Sequence, residues 1–183
     1  MINKLKMLFV ALPALAIAAV SCSDDNDDTW SRYADWRDAN NAWFEQEKNR
    51  TNDDGTPFYE VLSPSWYPGS QVLIHYYNDR ALTQNNYVPF ITSTVSVKYV
   101  GYYYNGEQFD TSFANTDSVI TIKPANTIAG WQIALTNMHV GDSVDVVIPA
   151  DQAYGESVTS GVNPYSVLRF SMKLKDVPGY QLP

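Results

Sequence analysis

The residues best suited to chemistry lie in the stretch TIAGWQIALTNMHVGDSV, residues 127–144, where a tryptophan directly follows a glycine. Four apolar residues in it recur at i, i+3, i+4 and i+7: Trp131, Ala134, Leu135 and Met138. This spacing places them on one helix face, and Gly141 follows as a helix-ending glycine does. We therefore expect one buried helix of about three turns. On it, Trp131 is either a core residue or the floor of an apolar pocket.

Other catalytic and metal-binding patterns are absent from the sequence. His75 lies between apolar neighbours and His139 follows a methionine, and two isolated histidines without a neighbouring Cys or His do not make a metal site. No Ser-His-Asp arrangement and no glycine-rich phosphate loop is evident. We expect neither a metal nor a cofactor.

The elements that would position this helix are mostly strands. Six segments rich in β-branched and aromatic residues are predicted as strands: 58–62, 71–77, 93–104, 118–122, 143–149 and 167–177. The last alternates, with Leu168, Phe170, Met172 and Leu174 on one face, which is typical of a half-buried strand. Residues 79–90 read as a loop. Many antiparallel strands and a single helix predict an α+β fold, a curved antiparallel sheet wrapped around one short central helix.

A further helix is predicted before the sheet, over Thr29–Arg50, because aromatic residues cluster on one broad face of this segment. Its tryptophans make it too apolar for a helix that stands alone in solvent. It should pack either on the domain that follows or on a second copy of itself, so a homodimer through residues 29–50 is one of two possibilities. The turn-rich sequence TNDDGTP, residues 51–57, reads as a linker.

The N-terminus has the layout of an export signal. Lys4 and Lys6 precede an apolar run, residues 7–20, that is short for a bilayer span. The sequence AVSC ends at Cys22, the only cysteine in the chain, and resembles the lipobox of a bacterial lipoprotein, in which the cysteine is lipidated and attaches the protein to the membrane. An ordinary signal with an incidental cysteine is the alternative. We expect an envelope lipoprotein of the outer membrane, on its periplasmic face or on the cell surface.

Charge limits the partners of the mature chain. The sequence SDDNDD, residues 23–28, predicts a solvated acidic tether. Cleavage after residue 21 would remove two of the 12 basic residues and no acidic residue, which leaves 10 basic against 20 acidic residues and a formal charge of −10. Such a surface repels phosphate backbones, so we expect no nucleic-acid partner.

Several short motifs follow one another in a fixed order along the second half of the chain. They are Y-x-G from Tyr99, G-x-x-F-D ending at Asp110, I-x-G-W from Ile128, M-x-x-G from Met138, I-P at residues 148–149, A-Y-G at residues 153–155 and L-x-F-x-x-x-L from Leu168. Taken together over about residues 95–177, this series resembles an FKBP-type peptidyl-prolyl cis-trans isomerase. Each motif alone is a weak signal, and their order and spacing carry the resemblance.

The resemblance implies a set of site residues. The pocket that receives a proline ring would be lined by four aromatic residues: Tyr99, Phe109, Trp131 and Phe170. Asp110 would accept a hydrogen bond at the pocket edge, and the Ile128 N–H and the Tyr154 hydroxyl would donate to substrate carbonyls. Val162 would stand at the rim with Ile128. Val119 and Tyr165 would alter the substrate-binding surface, because they depart in size from the residues usual in the family.

The function implied by the resemblance is peptidyl-prolyl cis-trans isomerisation of proline-containing polypeptides, which would assist the folding of exported proteins. Rotation about an X-Pro amide costs roughly 20 kcal/mol and makes or breaks no other bond, so an apolar pocket with a few donors suffices. A catalytically weak binding module for a peptide or glycan on the cell surface is the alternative, because the sequence SGVNPYS, residues 160–166, departs from the family pattern.

Five regions follow from these interpretations. They are a signal peptide at 1–21, a lipidated cysteine and acidic tether at 22–28, an aromatic-rich helix and linker at 29–56, an FKBP-like domain at 57–178 and a C-terminal tail at 179–183. The 162 residues of the mature chain suit one domain with a small extension.

Overall fold

A computed structural model describes residues 28–114, 118–158 and 161–180. The predicted signal peptide, Cys22, all but the last residue of the acidic tether and residues 181–183 lie outside the described residues, so the predictions made for them stay predictions. None of the helices in the described part of the chain has the length and apolar character needed to cross a bilayer.

The described residues form one seven-stranded sheet in which every pairing is antiparallel. The strands are β1 (Glu60–Leu62), β2 (Val72–Tyr76), β3 (Thr94–Tyr103), β4 (Gln108–Thr111), β5 (Ile120–Ile122), β6 (Ser143–Ile148) and β7 (Leu168–Gly179). Their order is β1-β2-β6-β7-β3-β4, and β5 also pairs with β3. The predicted α+β fold is confirmed.

In the part of the chain that the structure describes, three α-helices accompany the sheet: α1 (Thr29–Arg32), α2 (Ala34–Lys48) and α3 (Ala129–Leu135). Single 3-10 turns occupy Arg80–Leu82, Ser112–Ala114, Pro124–Asn126 and Ala150–Gln152. The core lies between α3 and the concave face of the sheet, where Ile133, Leu135 and Met138 meet side chains of β3, β6 and β7 at zero exposure.

The alternation of strand residues predicted the buried face correctly. Leu168, Phe170, Met172 and Leu174 are all buried on β7. On β3, Val95 and Val97 are fully buried. One strand, β4, was not predicted, because residues 108–111 are too short and too polar to show a strand pattern and are ordered only by pairing with β3.

The central helix differs from its prediction. It has seven residues, about two turns rather than three, and ends at Leu135. Met138 keeps its place in the core through a turn, since its N–H donates to the Leu135 carbonyl. Gly141 therefore does not end the helix. Its φ of +101° and its hydrogen bond to the Leu174 carbonyl place it in the turn that leads into β6, where only a glycine adopts that φ readily.

The N-terminal helical segment packs on its own domain. It is interrupted at Tyr33 and forms α1 and α2 instead of one helix. The Trp36 indole donates to Ser166 Oγ at 3.1 Å. Asn40, at zero exposure, accepts the Val167 N–H at 2.8 Å. The packing alternative that stays within one chain is thus confirmed, and the homodimer stays a prediction.

Candidate active site

A cavity of about 440 Å³ opens where the start of α3 meets β3, β5 and β7. Ten residues line it: Tyr99, Asp110, Ile120, Ile122, Asn126, Thr127, Ile128, Trp131, Tyr154 and Phe170. Six of these were predicted as site residues. The side chains of its floor are apolar, and most of the polar groups belong to residues at its edge.

The aromatic rings of Tyr99, Trp131 and Phe170 meet at steep angles and form the floor and inner wall of this cavity. We call the cavity with these three rings the aromatic cup. The Trp131 ring is perpendicular to the Phe170 ring, with 5.2 Å between centroids, and nearly perpendicular to the Tyr99 ring at 4.9 Å. Edge-to-face contacts of this kind fix ring orientation as well as contributing stability. Trp131 is 6% exposed, so it is both a core residue and the floor of the cavity.

The glycine before Trp131 lets the helix approach the sheet. A Cβ on Gly130 would lie 2.3 Å from Ile148 Cγ2 and within 2.8 Å of two further atoms of that side chain. Because Ile148 is fully buried on β6, no larger residue fits without displacing α3. This close approach seats Trp131 deep enough to serve as a floor.

A second glycine makes room for the rings of the wall. A Cβ on Gly101 of β3 would lie 2.8 Å from the Phe109 ring and 3.0 Å from the Phe170 ring. Phe109 does not line the cavity itself. It packs edge-on behind Phe170, with 5.6 Å between centroids, and so supports the cup from behind.

Asp110 holds the Tyr99 ring in place at the edge of the cup. Its Oδ2 accepts the Tyr99 hydroxyl at 2.7 Å, and its Oδ1 accepts the Thr111 N–H at 2.7 Å. Burial and then the hydrogen bond to Asp110 raise the pKa of the Tyr99 phenol well above its ordinary value. Tyr99 is therefore neutral at physiological pH.

Three hydrogen-bond donors at the cavity have no partner within the described part of the chain. The Ile128 N–H precedes the first turn of α3, where backbone donors have no partner inside the helix. The Tyr154 hydroxyl makes no hydrogen bond to another described residue, and burial and then the charge of Asp110 raise its pKa. The third donor is the buried indole N–H of Trp131. Of the three, only the Trp131 indole N–H is buried, and a buried donor without a partner is rare in folded proteins.

Three residues predicted at the substrate-binding surface do not line the cavity. Val119 lies just before β5, where the side chains of Ile120 and Ile122, rather than its own, face the cavity. Val162 is buried in the main core. Tyr165, with a φ of +59°, packs edge-on against Trp30 of α1, with 5.6 Å between centroids. For these three, a role toward substrate stays a prediction.

Four lining residues were missed in the sequence: Ile120, Ile122, Asn126 and Thr127. A signal for the two isoleucines was present, because residues two apart in a strand share a face. Val95 and Val97 of β3 pair with Ile122 and Ile120. Asn126 and Thr127 carry no such pattern, since they lie in a turn whose position depends on the fold.

All ten residues that line the cavity lie within the segment of this chain that matches a known family. Residues 88–175 match the family model described as FKBP-type peptidyl-prolyl cis-trans isomerase. This segment belongs to the FKBP family. The FKBP-type peptidyl-prolyl cis-trans isomerase FkpA of Escherichia coli (strain K12) is 34% identical over 89 residues, which cover 49% of this chain and 33% of FkpA.

Further relatives of this segment and two solved structures agree. FK506-binding protein 3 of Kluyveromyces lactis is 35% identical over 82 residues, 45% of this chain and 20% of that protein. The chain thus spans a fifth to a third of the length of these curated relatives. The crystal structure of a peptidyl-prolyl cis-trans isomerase from Pseudomonas syringae pv. tomato superposes with a TM-score of 0.63 at 25% identity, over 79% of this chain and 95% of that one. The structure of E. coli FkpA has the same fold, with a TM-score of 0.68 at 22% identity over 85% of this chain and 65% of that one.

Proposed function

We propose that this FKBP-family chain is a peptidyl-prolyl cis-trans isomerase that acts on proline-containing polypeptides. The observation that carries the proposal is the aromatic cup, whose three rings meet at steep angles around an apolar cavity with unpartnered donors at its edge. A proline ring is a small apolar group flanked by two carbonyls, and this arrangement is complementary to it.

The cup is suited to rotation of an amide rather than to bond cleavage. Rotation about the X-Pro bond costs roughly 20 kcal/mol because resonance is lost at the twisted geometry. An apolar site that excludes water from the amide and binds the twisted form more tightly than either planar form lowers this barrier. Each tenfold acceleration needs about 1.4 kcal/mol of such preferential binding. The Ile128 N–H and the Tyr154 hydroxyl are the donors that would hold the neighbouring carbonyls.

Asp110 acts in this proposal as a positioning residue. Its two oxygens are occupied by Tyr99 and Thr111, so it orients the Tyr99 ring and needs no proton transfer. Because the pKa values of Tyr99 and Tyr154 are both raised, neither phenol ionises near neutrality. We expect a rate that is independent of pH between about pH 6 and 9, because an ordinary phenol has a pKa of about 10 and both phenols of the site lie above that value.

The test is cis-trans exchange in a short Xaa-Pro peptide, measured by NMR with and without the purified protein. Tyr154→Phe removes one hydroxyl and should lower kcat/KM about 2- to 12-fold, the equivalent of one hydrogen bond of about 0.5–1.5 kcal/mol. Tyr102→Phe is the matched control, because Tyr102 lies outside the cavity under Arg169. Trp131→Leu, with its fold checked by circular dichroism, should lower the rate at least tenfold. Unchanged rates in both site variants would refute the proposal.

A binding module is the second candidate, and one observation favours it. The predicted rim residues Val162 and Tyr165 are buried away from the cavity, which leaves the half-exposed Tyr154 and the turn before α3 as its outer edge. A protein that binds proline peptides through Trp131 without accelerating their exchange would be such a module. Tight binding together with acceleration would exclude this candidate.

We further propose that Cys22 is lipidated and anchors the domain in the cell envelope through the acidic tether. The support is the sequence AVSC and the aspartate run behind it, and two acyl chains give stable anchoring where one does not. The test is incorporation of labelled palmitate in the bacterium. Cys22→Ser should abolish the label and release the protein from the membrane fraction, and labelling that survives the substitution would refute the anchor.

A further inference from the structure

A second and larger cavity, of about 710 Å³, lies at the opposite end of α3 from the aromatic cup. We call it the distal groove. Its walls come from the segment before β3, from the turn after α3 and from the residue that follows β7, and they include Tyr87, Phe90, Ile91, His139 and Tyr180. Trp66 closes one side. None of these residues belongs to the site described above.

The groove is held open by a defined set of contacts. The Val140 N–H donates to the Tyr87 carbonyl at 2.9 Å, and Asn86 Nδ2 donates to the Val140 carbonyl at 2.8 Å. Further back, Thr83 Oγ1 donates to the fully buried Asp142 at 2.6 Å. These bonds tie the segment that forms one wall to the turn after α3, so the shape of the groove is part of the fold.

The rings of the groove are placed around open space rather than in the core. Tyr180 packs against Tyr87 and Phe90, with centroids 5.0 and 5.4 Å apart. Even so, Tyr87 is 66% exposed and Trp66 is 51% exposed. Exposed aromatic residues that share one concavity are typical of a binding surface.

The lining favours a polypeptide side chain over a charged or hydroxyl-rich ligand. Among the described residues, no Asp, Glu, Lys or Arg lines the groove, although the chain carries 20 acidic and 12 basic residues. The side-chain amides of Gln84 and Asn86 donate to the carbonyls of Ala81 and Val140, and the Thr136 hydroxyl donates to the Gln132 carbonyl. These polar groups are engaged within the fold, whereas aliphatic and aromatic surface remains open.

A backbone hydrogen bond connects the wall of the groove to the segment that lines the aromatic cup. The carbonyl of Ile91, in the groove, accepts the Ala125 N–H at 2.9 Å, and the next two residues after Ala125 line the cup. The seven residues of α3 separate the two cavities, a helix length of about 10 Å. Because an extended chain covers about 3.3–3.6 Å per residue, roughly three residues bridge that distance.

We infer that the distal groove binds an aromatic or large aliphatic side chain of the same polypeptide whose proline occupies the cup, about three to five residues away from that proline. The groove thus selects substrates by a residue remote from the reacting bond. Binding energy from a remote group raises kcat/KM without contact to the reacting atoms. The spacing from the proline rests on the proposed function, whereas occupation of the groove by a hydrophobic side chain does not.

The test compares two series of peptides on the complete purified chain. One series carries a single proline and a phenylalanine placed two to seven residues before or after it, and the other has serine in place of the phenylalanine. Isomerisation is measured by NMR exchange and binding by calorimetry. We expect the phenylalanine peptides with a spacing of three to five to show about tenfold higher kcat/KM and tighter binding than their serine counterparts.

Variants locate the effect. Tyr87→Ser should abolish the advantage of the phenylalanine peptides and leave the serine peptides unchanged. Leu82→Ser is the matched control, because Leu82 is 81% exposed on the same segment and does not line the groove. Equal values for both series, or an advantage that survives Tyr87→Ser, would overturn the inference. So would a neutral oligosaccharide that binds at the groove while the phenylalanine peptides do not.

The outcomes also separate this inference from the proposed function. If no peptide is isomerised, the proposed activity fails, and the calorimetric comparison of the two series still decides the groove. If all peptides are isomerised equally, the activity stands and the groove inference falls.

Discussion

Replacement of Gly130 by alanine tests whether close approach of α3 to the sheet makes the site possible. The added Cβ would lie 2.3 Å from Ile148 Cγ2, 2.7 Å from Cδ1 and 2.8 Å from Cγ1. All three distances are far inside ordinary carbon contacts of about 3.5–4.0 Å. Because Ile148 is fully buried in the core, its side chain has no free space to enter.

Two effects of this substitution oppose each other. Overpacking a close-packed core costs about 1–3 kcal/mol, and three simultaneous short contacts place Gly130→Ala at the upper end of this range. Alanine gains at most about 1 kcal/mol over glycine from helix propensity, and less here because Gly130 is the second residue of α3. We therefore expect the free energy of unfolding to fall by about 2 kcal/mol.

The measurement is urea unfolding followed by tryptophan fluorescence and far-UV circular dichroism. With an m-value of about 2 kcal/mol/M, a loss of about 2 kcal/mol lowers the midpoint by about 1 M. The control is a double-mutant cycle with Ile148→Ala, which removes all three clashing atoms. In that background Gly130→Ala should cost less than in the parent, a coupling typical of residues in contact. A variant as stable as the parent, or additive effects in the cycle, would show that the packing argument is wrong.

Three further predictions concern residues that do not line the cavity. Asn40→Ala should lower the free energy of unfolding in urea by about 1–3 kcal/mol, since it leaves the buried Val167 N–H without an acceptor. Substitution of the exposed neighbour, Asn41→Ala, should change it by less than about 0.5 kcal/mol. Equal effects of the two substitutions would count against a stabilising role for the hydrogen bond between Asn40 and Val167. Gly101→Ala should displace the Phe109 and Phe170 rings and weaken proline-peptide binding several-fold in calorimetry, and unchanged affinity would contradict it. Burial raises the pKa of Tyr76 to about 12, whereas the pKa of a tyrosine in an unfolded chain is about 10. The contribution of Tyr76 to the free energy of unfolding should therefore be constant below about pH 9 and should fall as the pH rises from about 10 through 12. Tyr76→Phe should lessen that fall in urea midpoints taken at pH 8, 10 and 11, and an identical fall would refute the assignment.

The motifs of the sequence were sufficient to predict the family, the α+β fold and most of the aromatic cup. The reason is that they record local constraints. Alternation at period two places Leu168, Phe170 and Met172 on one face of β7 whatever the rest of the sheet does. Likewise, the glycine of the pair Gly130–Trp131 records a close approach of the helix to the Ile148 side chain of β6, which no larger residue permits.

Other features depended on contacts between segments that are distant in the chain. The short strand β4 exists because β3 pairs with it, and the helix that begins beside Trp131 is cut to seven residues because the chain must turn at residues 136–142 to enter β6. Tyr165 was predicted near substrate, yet it packs against Trp30 of α1. No local pattern in the sequence shows that α1 folds back on the loop of Tyr165.

The sequence by itself therefore determined which side chains are apolar, which of them alternate along a strand, and at which glycine positions no larger residue fits. What only the tertiary structure decided is which of those side chains share a cavity. Ile120 faces the aromatic cup because β5 pairs with β3 in one register, and Tyr87 faces the distal groove because its carbonyl is bonded to Val140. Pairing between residues far apart in the chain sets these positions, and no local pattern contains that information.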